Sequence, residues 1–277
     1  MKIHRRKKFF IFFILGTLLV GLTAVLVPRE NLKAETDIGS KISRMSLDEK
    51  VGQLIIAGLA GPYAGEAAKE AVSKYHIGGV NLLGRNIKDR SQVIKLITNL
   101  QAIAVVPLFM AVDQEGGSIS RLKFLKELTP QYNIKTANRA RAVAVSRGKE
   151  LQTLGVNMVF SPVLDYVTDS KSYLWPRVFR GNVAALSQLG SAMVASYKEA
   201  GIIAVPKHFP GYGNVKPDPH ANTVVLSTNS RGLATRLAPF RSILSNGGAD
   251  AVMTAHIKVP FFDVKSATVS GKFITQL

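Results

Sequence analysis

The sequence predicts an α/β fold, a (β/α)8 TIM-type barrel of which about six of the eight βα units lie in this chain. Three observations carry that prediction. Short, almost wholly apolar runs alternate with stretches of helical periodicity, so each strand is covered on both faces, as in parallel sheets. Polar residues cluster at the C-terminal end of strand after strand: Asp113-Gln114-Glu115, Asp165, Lys207-His208 and His256. That is the face on which such barrels carry their sites. Finally, neither a Gly-x-Gly-x-x-Gly turn nor a P-loop follows any strand, so a nucleotide-binding doubly wound sheet has no local support.

In chain order, a lead-in helix is expected from Ile38 to Met45, and Ser46 with Glu49 three residues on reads as a capping box. Strand runs then follow at Leu54–Leu59, Gly78–Leu83, Val106–Val112, Val156–Leu164, Ile202–Pro206 and Ala249–Ile257. Between them lie helical stretches at Tyr63–Tyr75, Arg90–Ala104, Lys135–Leu154, Val183–Ala200 and Ser230–Ser245, and another helix opens at Ser270–Leu277. Closing an eight-stranded barrel takes two further strands, because closure removes the two exposed sheet edges. The alternatives are an open six-stranded sheet or the front three-quarters of a longer barrel.

The N-terminus is a separate piece. Lys2, Arg5, Arg6, Lys7 and Lys8 precede Phe9–Val27, an uncharged apolar run. A basic flank before such a run marks a secretory signal or an uncleaved signal-anchor, and its length is near the roughly 20 residues that span a bilayer. The domain reading is 1–30 signal or anchor, 31–45 linker and lead-in helix, and 46–277 an incomplete barrel domain. The chain is expected to be exported, to the extracellular face of the membrane or the cell wall, with the membrane met through residues 9–27.

Without residues 1–30 the chain keeps 30 basic and 17 acidic residues, a net charge of +13. Outside a cell the matching polyanions are anionic wall polymers and lipid headgroups. Nucleic acid is not expected, since no interleaving of aromatic and basic residues supports it. The chain has no cysteine, which excludes disulfides, thiolate metal sites and a cysteine nucleophile.

Chemistry concentrates in a few stretches. Asp113 and Glu115 leave the third strand two residues apart, so both are expected to face a pocket, with Arg121 in reach of the same ligand. Arg177 and Arg180 lie beside aromatics in Trp175-Pro176-Arg177-Val178-Phe179-Arg180, a pattern suited to anions or carbohydrate and also common on plain surfaces. Lys207-His208-Phe209-Pro210-Gly211-Tyr212-Gly213 is followed by Asp218-Pro219-His220. A metal reading of His208, His220 and Asp218 lacks a zinc-type spacing, and no metal is expected. As an acid-base pair, Asp218 would fix the His220 tautomer and favour its protonated form near neutral pH.

Lys-His-Phe-Pro-Gly-x-Gly, then four residues and Asp-x-His, resembles the signature of family 3 glycoside hydrolases of the β-N-acetylglucosaminidase type. Asp113-Gln114-Glu115-Gly116-Gly117 with Arg121, Asn157 to Asp165, Arg177-Val178-Phe179, Met253-Thr254-Ala255-His256 and Ala267-Thr268-Val269-Ser270 resemble further elements of that family, in order. The resemblance implies a (β/α)8 barrel that removes terminal β-linked N-acetylglucosamine with retention, as in peptidoglycan turnover, without a cofactor. It implies that Asp113, Arg121, Arg177, Lys207 and His208 hold the sugar, and that His220, supported by Asp218, is the acid/base. Ser118, Tyr212 and Pro219 depart from the family's usual residues. The family's nucleophilic aspartate ends the seventh strand, so the expectation is that it lies beyond Leu277 and that the chain as given is inactive alone. The alternative is an inactive sugar-binding fragment.

Overall fold

A computed structural model describes residues 38–215, 224–245 and 248–276; the apolar segment 9–27, Asp218 and His220 lie outside the described residues. The chain divides into two compact units, Met1–Lys50 and Val51–Leu277. In the first, residues 38–44 form helix α1. Ser46 then starts α2 (Leu47–Gln53) through a capping box: Ser46 N donates to Glu49 Oε2 at 2.7 Å, and Glu49 N donates to Ser46 Oγ at 3.2 Å.

In the second unit the alternation read from the sequence is present. Strands β1 (Ile56–Gly58), β2 (Gly79–Leu82), β3 (Phe109–Val112), β6 (Met158–Val159) and β7 (Ile203–Ala204) form one all-parallel sheet in sequence order. The chain past β7 runs on into β8 (Lys207–Phe209), which pairs in parallel with β10 (Met253–Thr254). Leu164 N donates to Lys207 O and Lys207 N to Pro162 O, at 2.7 and 3.0 Å, so the fourth and fifth strand positions stay in register beyond the sheet proper. Among the described residues β1 and β10 do not pair, and the curved sheet is open between them.

Helices cross back between the strands. They are α3 (Glu66–Ser73), α4 (Arg90–Gln101), α5 (Ala137–Gln152), α6 (Val183–Glu199) and α7 (Ser230–Leu244). Four of these start at a side chain that caps a free amide: Asp89, Thr136, Asn182 and Asn229 accept from Gln92, Arg139, Ala185 and Gly232 N. Alternate strand residues Val80, Leu82, Met110, Val112 and Val159 point outward and are sealed by Val93, Leu96, Leu100, Val143, Ala144 and Leu151 of α4 and α5. Each such burial contributes roughly 1.5–3 kcal/mol. The other set faces inward, where Ala111, Met158 and Val205 pack with Phe160, Ile203, Ala251 and Met253.

The sixth strand is shorter than the sequence suggests. Only Met253–Thr254 join the parallel set, because Ile257–Val259 (β11) turn away to pair with β9 (Val224–Val225) and, antiparallel, with β12 (Asp263–Ser266). A second addition is a ribbon of β4 (Gln114–Gly116) and β5 (Ile119–Ser120), which stands on the C-terminal end of β3. Gly116 and Gly117 make its turn with φ of +94° and +61°, values that side-chain-bearing residues rarely adopt. A short helix, α8 (Gly271–Thr275), is capped by Ser270. Its Phe273 and Phe240 of α7 both meet the ring of Phe209 edge-on, at 6.5 and 5.5 Å, fixing the strand that carries Lys207 and His208.

Candidate active site

A cavity of about 310 Å³ opens at the C-terminal ends of the parallel strands. Every strand position but the first contributes to it. Asn81 comes from β2, Asp113 from the end of β3, Phe160 from the segment after β6, Lys207 and His208 from β8, and Thr254 with His256 from β10 and beyond. Ile119 and Arg121 of the ribbon, and Tyr173 and Arg177 of the loop after the fourth strand, close its sides.

Lys207 is the hub. Its ammonium lies 2.6 Å from Asp113 Oδ1 and 2.7 Å from Glu115 Oε1. Glu115 also takes a two-pronged contact from Arg177, Nη2 to Oε1 at 2.7 Å and Nε to Oε2 at 3.0 Å. Asp113 keeps Arg121 at 4.0 Å on its other oxygen. The result is a line of alternating charge, Arg121–Asp113–Lys207–Glu115–Arg177, with its middle buried and its ends facing the cavity.

Burial is the largest influence on the Glu115 carboxyl and pushes it up, but the charges and hydrogen bonds of Lys207 and Arg177 together outweigh it. The carboxyl is held below the usual carboxylate range. The Arg177 guanidinium is destabilised by its own burial, yet Glu115 more than compensates and raises it. Both stay ionised throughout the physiological range.

His208 is held separately. Its Nδ1 lies 2.8 Å from Asp165 Oδ2, its backbone N donates to the same oxygen at 3.2 Å, and Tyr212 N donates to Asp165 Oδ1 at 2.6 Å. Asp165 itself is fully buried. One carboxylate therefore fixes both the imidazole and the turn that follows it. His256, just past the neighbouring β10, has its Nδ1 2.9 Å from Thr268 Oγ1.

Asp113, Arg121, Arg177, Lys207 and His208, all read from the sequence as ligand-holding residues, line this one cavity. One expectation needs correction, and one reading left open is decided. Glu115 does not face the cavity beside Asp113: the ribbon begins at Gln114, and Glu115 is turned beneath Lys207 and Arg177 at 1% exposure. Arg180 does not join the site either. Its guanidinium stacks 3.6 Å from the Trp175 ring centroid and donates to the Trp175 and Val178 carbonyls, so it shapes the loop.

Sequence reasoning passed over Arg147. This α5 residue is fully buried and donates to the carbonyls of Gln114, Glu115, Glu127 and Thr129 and to the Tyr197 hydroxyl. It ties β4 of the ribbon to the 127–129 segment. A signal was available: position 147 falls on the helix stripe that buries Ala140, Val143, Ala144, Gly148 and Leu151. Asp165 was noted only as a strand-end polar residue, and nothing in the sequence connects it to His208.

A curved parallel βα sheet with a charge-lined pocket at its strand ends defines a class: barrel-type proteins that bind a polar ligand at their C-terminal face. The comparisons narrow it, because residues 46–277 match the glycosyl hydrolase family 3 N terminal domain. The chain belongs to that family. A β-hexosaminidase of Nitrosomonas eutropha is 30% identical over 230 residues, 79% of this chain and 66% of the relative; one of Tolumonas auensis is 36% identical over 208 residues, 73% and 62%. A family 3 β-N-acetylglucosaminidase from Paenibacillus superposes with a TM-score of 0.77 at 33% identity, over 83% of this chain and 46% of that one. NagZ from Neisseria gonorrhoeae in complex with N-trifluoroacetyl-D-glucosamine gives 0.73 at 29% identity, over 80% and 69%. The fold of these relatives agrees with the barrel-type architecture. This chain spans from 39% to 66% of the length of the first curated relatives it matches.

Proposed function

We propose that this chain supplies the sugar-holding part of a glycoside hydrolase that releases terminal β-linked N-acetylglucosamine from cell-wall or related glycans with retention. The observation that carries this reading is the buried charge line. Lys207 and Arg177 are held rigid by Glu115, and Asp113 is held by Lys207, so donors and acceptors for sugar hydroxyls are fixed before a ligand arrives. The names of the relatives support the same sugar.

His220, with Asp218 as its partner, is assigned the proton transfer to the leaving oxygen, and His208, oriented by Asp165, the contact to the ring. A retaining reaction also needs a nucleophile on the sugar's other face. Among the described residues Asp113, which lines the cavity, and Glu115 and Asp165, buried beside it, are all engaged: Asp113 and Glu115 by Lys207, and Asp165 by His208 and the Tyr212 amide. We assign the nucleophile to none of them. The second reading, a sugar-binding chain without turnover, rests on that same observation.

The test is an NMR titration of the full chain with N-acetylglucosamine, beside an assay on a chromogenic β-N-acetylglucosaminide. Binding without turnover at a normal rate is expected. Turnover at a normal rate would place the nucleophile within these 277 residues. Export with membrane contact through residues 9–27, and adhesion of the basic surface to anionic wall polymers, belong to the same proposal. Fractionation should put the full chain with membranes and a 31–277 form in solution, and wall adhesion should vanish at high salt.

A further inference from the structure

Asn81 lies on the inner face of β2, opposite Gly58 of β1 and Ala111 of β3 in the parallel register. The inner face around it is apolar: Ala111, Met158 and Val205, with Phe160, Ile203, Ala251 and Met253 packed against them. Asn81 lines the cavity floor, yet its side-chain oxygen is buried and has no hydrogen-bond partner among the described residues. A buried amide oxygen without a partner is destabilising, and such atoms in folded proteins call for an explanation. Strand formation does not supply one, since Val80 and Leu82 do the packing and asparagine is a poor strand former.

The neighbours make the amide reachable. Gly58 has no side chain and Ala111 only a methyl, so the flanking strands themselves put nothing long beside Asn81, and the ends of Leu83 and Arg85 take the space next to Gly58. Arg121, at the cavity wall, has its Nε buried and without a partner among the described residues as well. Among the described residues, two polar atoms on one cavity are thus left without a partner, while Asp113, the carboxylate that lines it, is engaged. A half-turn about χ2 lets the Asn81 carboxamide present either its oxygen or its nitrogen, so it suits a group that both donates and accepts. A sugar hydroxyl is such a group.

We propose that Asn81 is a specificity-determining residue that hydrogen-bonds one hydroxyl of the bound sugar from the cavity floor. The inference rests on the sugar-binding reading and names a contact that reading does not contain. A site built to hydrogen-bond a hydroxyl rejects the analogue that lacks it, because the protein group is then left buried and unpaired.

The experiment is an NMR titration of the full chain, wild type and Asn81→Leu, with N-acetylglucosamine and its 3-, 4- and 6-deoxy analogues, together with thermal melting of each. The expected result has three parts. Asn81→Leu binds N-acetylglucosamine about tenfold more weakly, roughly the value of one hydrogen bond. It melts no lower than the wild type, since an apolar side chain suits the floor. It also loses the wild type's discrimination against one of the deoxy sugars. Unchanged affinity for all four sugars overturns the inference while leaving the sugar-binding reading intact. So does an affinity loss that follows a lowered melting temperature and is shared equally by all four sugars. Should Asn81→Leu fail to fold, Asn81→Ala is read in the same way. A wild type that binds none of the sugars overturns both.

Discussion

Lys207 Nζ and Glu115 Oε1 lie 2.7 Å apart with both side chains sealed from solvent, at 2% and 1% exposure. The residues are 92 positions apart in the chain, and the contact ties the third strand's ribbon to the fifth strand position. It is both the structural pin of the cavity and the reason its charges are fixed.

Glu115→Gln removes the shared anion and leaves Lys207 and Arg177 buried side by side. Breaking a buried pair in this way costs about 3–5 kcal/mol. Urea unfolding should show that loss at neutral pH, and sugar affinity should fall with it.

The same carboxylate sets an acid limb. Its folded value lies below that of the unfolded chain, near 4.3, so its contribution is complete above that value. The contribution disappears as pH falls through the folded value. Unfolding free energy followed from pH 7 down to pH 3 should drop in the wild type and drop less steeply in Glu115→Gln.

Arg147→Met should be harsher than its distance from the cavity suggests. Four carbonyls lose their donor inside the protein, and leaving buried acceptors unmade costs about 1–3 kcal/mol each, without simple additivity. A fall in the unfolding free energy of at least about 3 kcal/mol is expected. Any remaining folded protein should bind sugar more weakly, because the ribbon that presents Asp113 is no longer clamped.

Gly213→Ala tests the turn after His208. Gly213 has φ of +66°, and a Cβ there would run into the guanidinium of Arg236 on α7. The left-handed conformation alone costs of order 1–3 kcal/mol for most side chains. Melting should fall accordingly, and turnover should fall with it in any form that cleaves sugar.

In such a form His220→Ala should reduce kcat by about 10²–10⁴ while leaving KM nearly unchanged. A raised KM with kcat intact would reassign His220 to ground-state binding.

The sequence carried more of the site than of its geometry. Apolar alternation located six strand positions, and polar residues at their ends located the cavity face, because a parallel sheet repeats one polarity in every unit. The register of the last strand was less legible, since the pattern from Ala249 to Ile257 does not show that Ile257 would leave the sheet to pair with Val224. Glu115 was misplaced for a similar reason: side-chain alternation holds only while the chain stays in one strand, and here a new one starts at Gln114.

By itself, then, the sequence determined the βα order, the helix cap at Ser46, and the residues Asp113, Arg121, Arg177, Lys207 and His208. These follow from local periodicity, local capping and short motifs. Only the tertiary structure decided that Glu115 holds Lys207 and Arg177, that Asp165 holds His208, that Arg147 clamps the ribbon, and that the Asn81 side-chain oxygen has no partner among the described residues. Each of those is set by which buried groups meet across strands far apart in the chain, and the need to satisfy a buried charge or amide leaves little trace in the sequence around it.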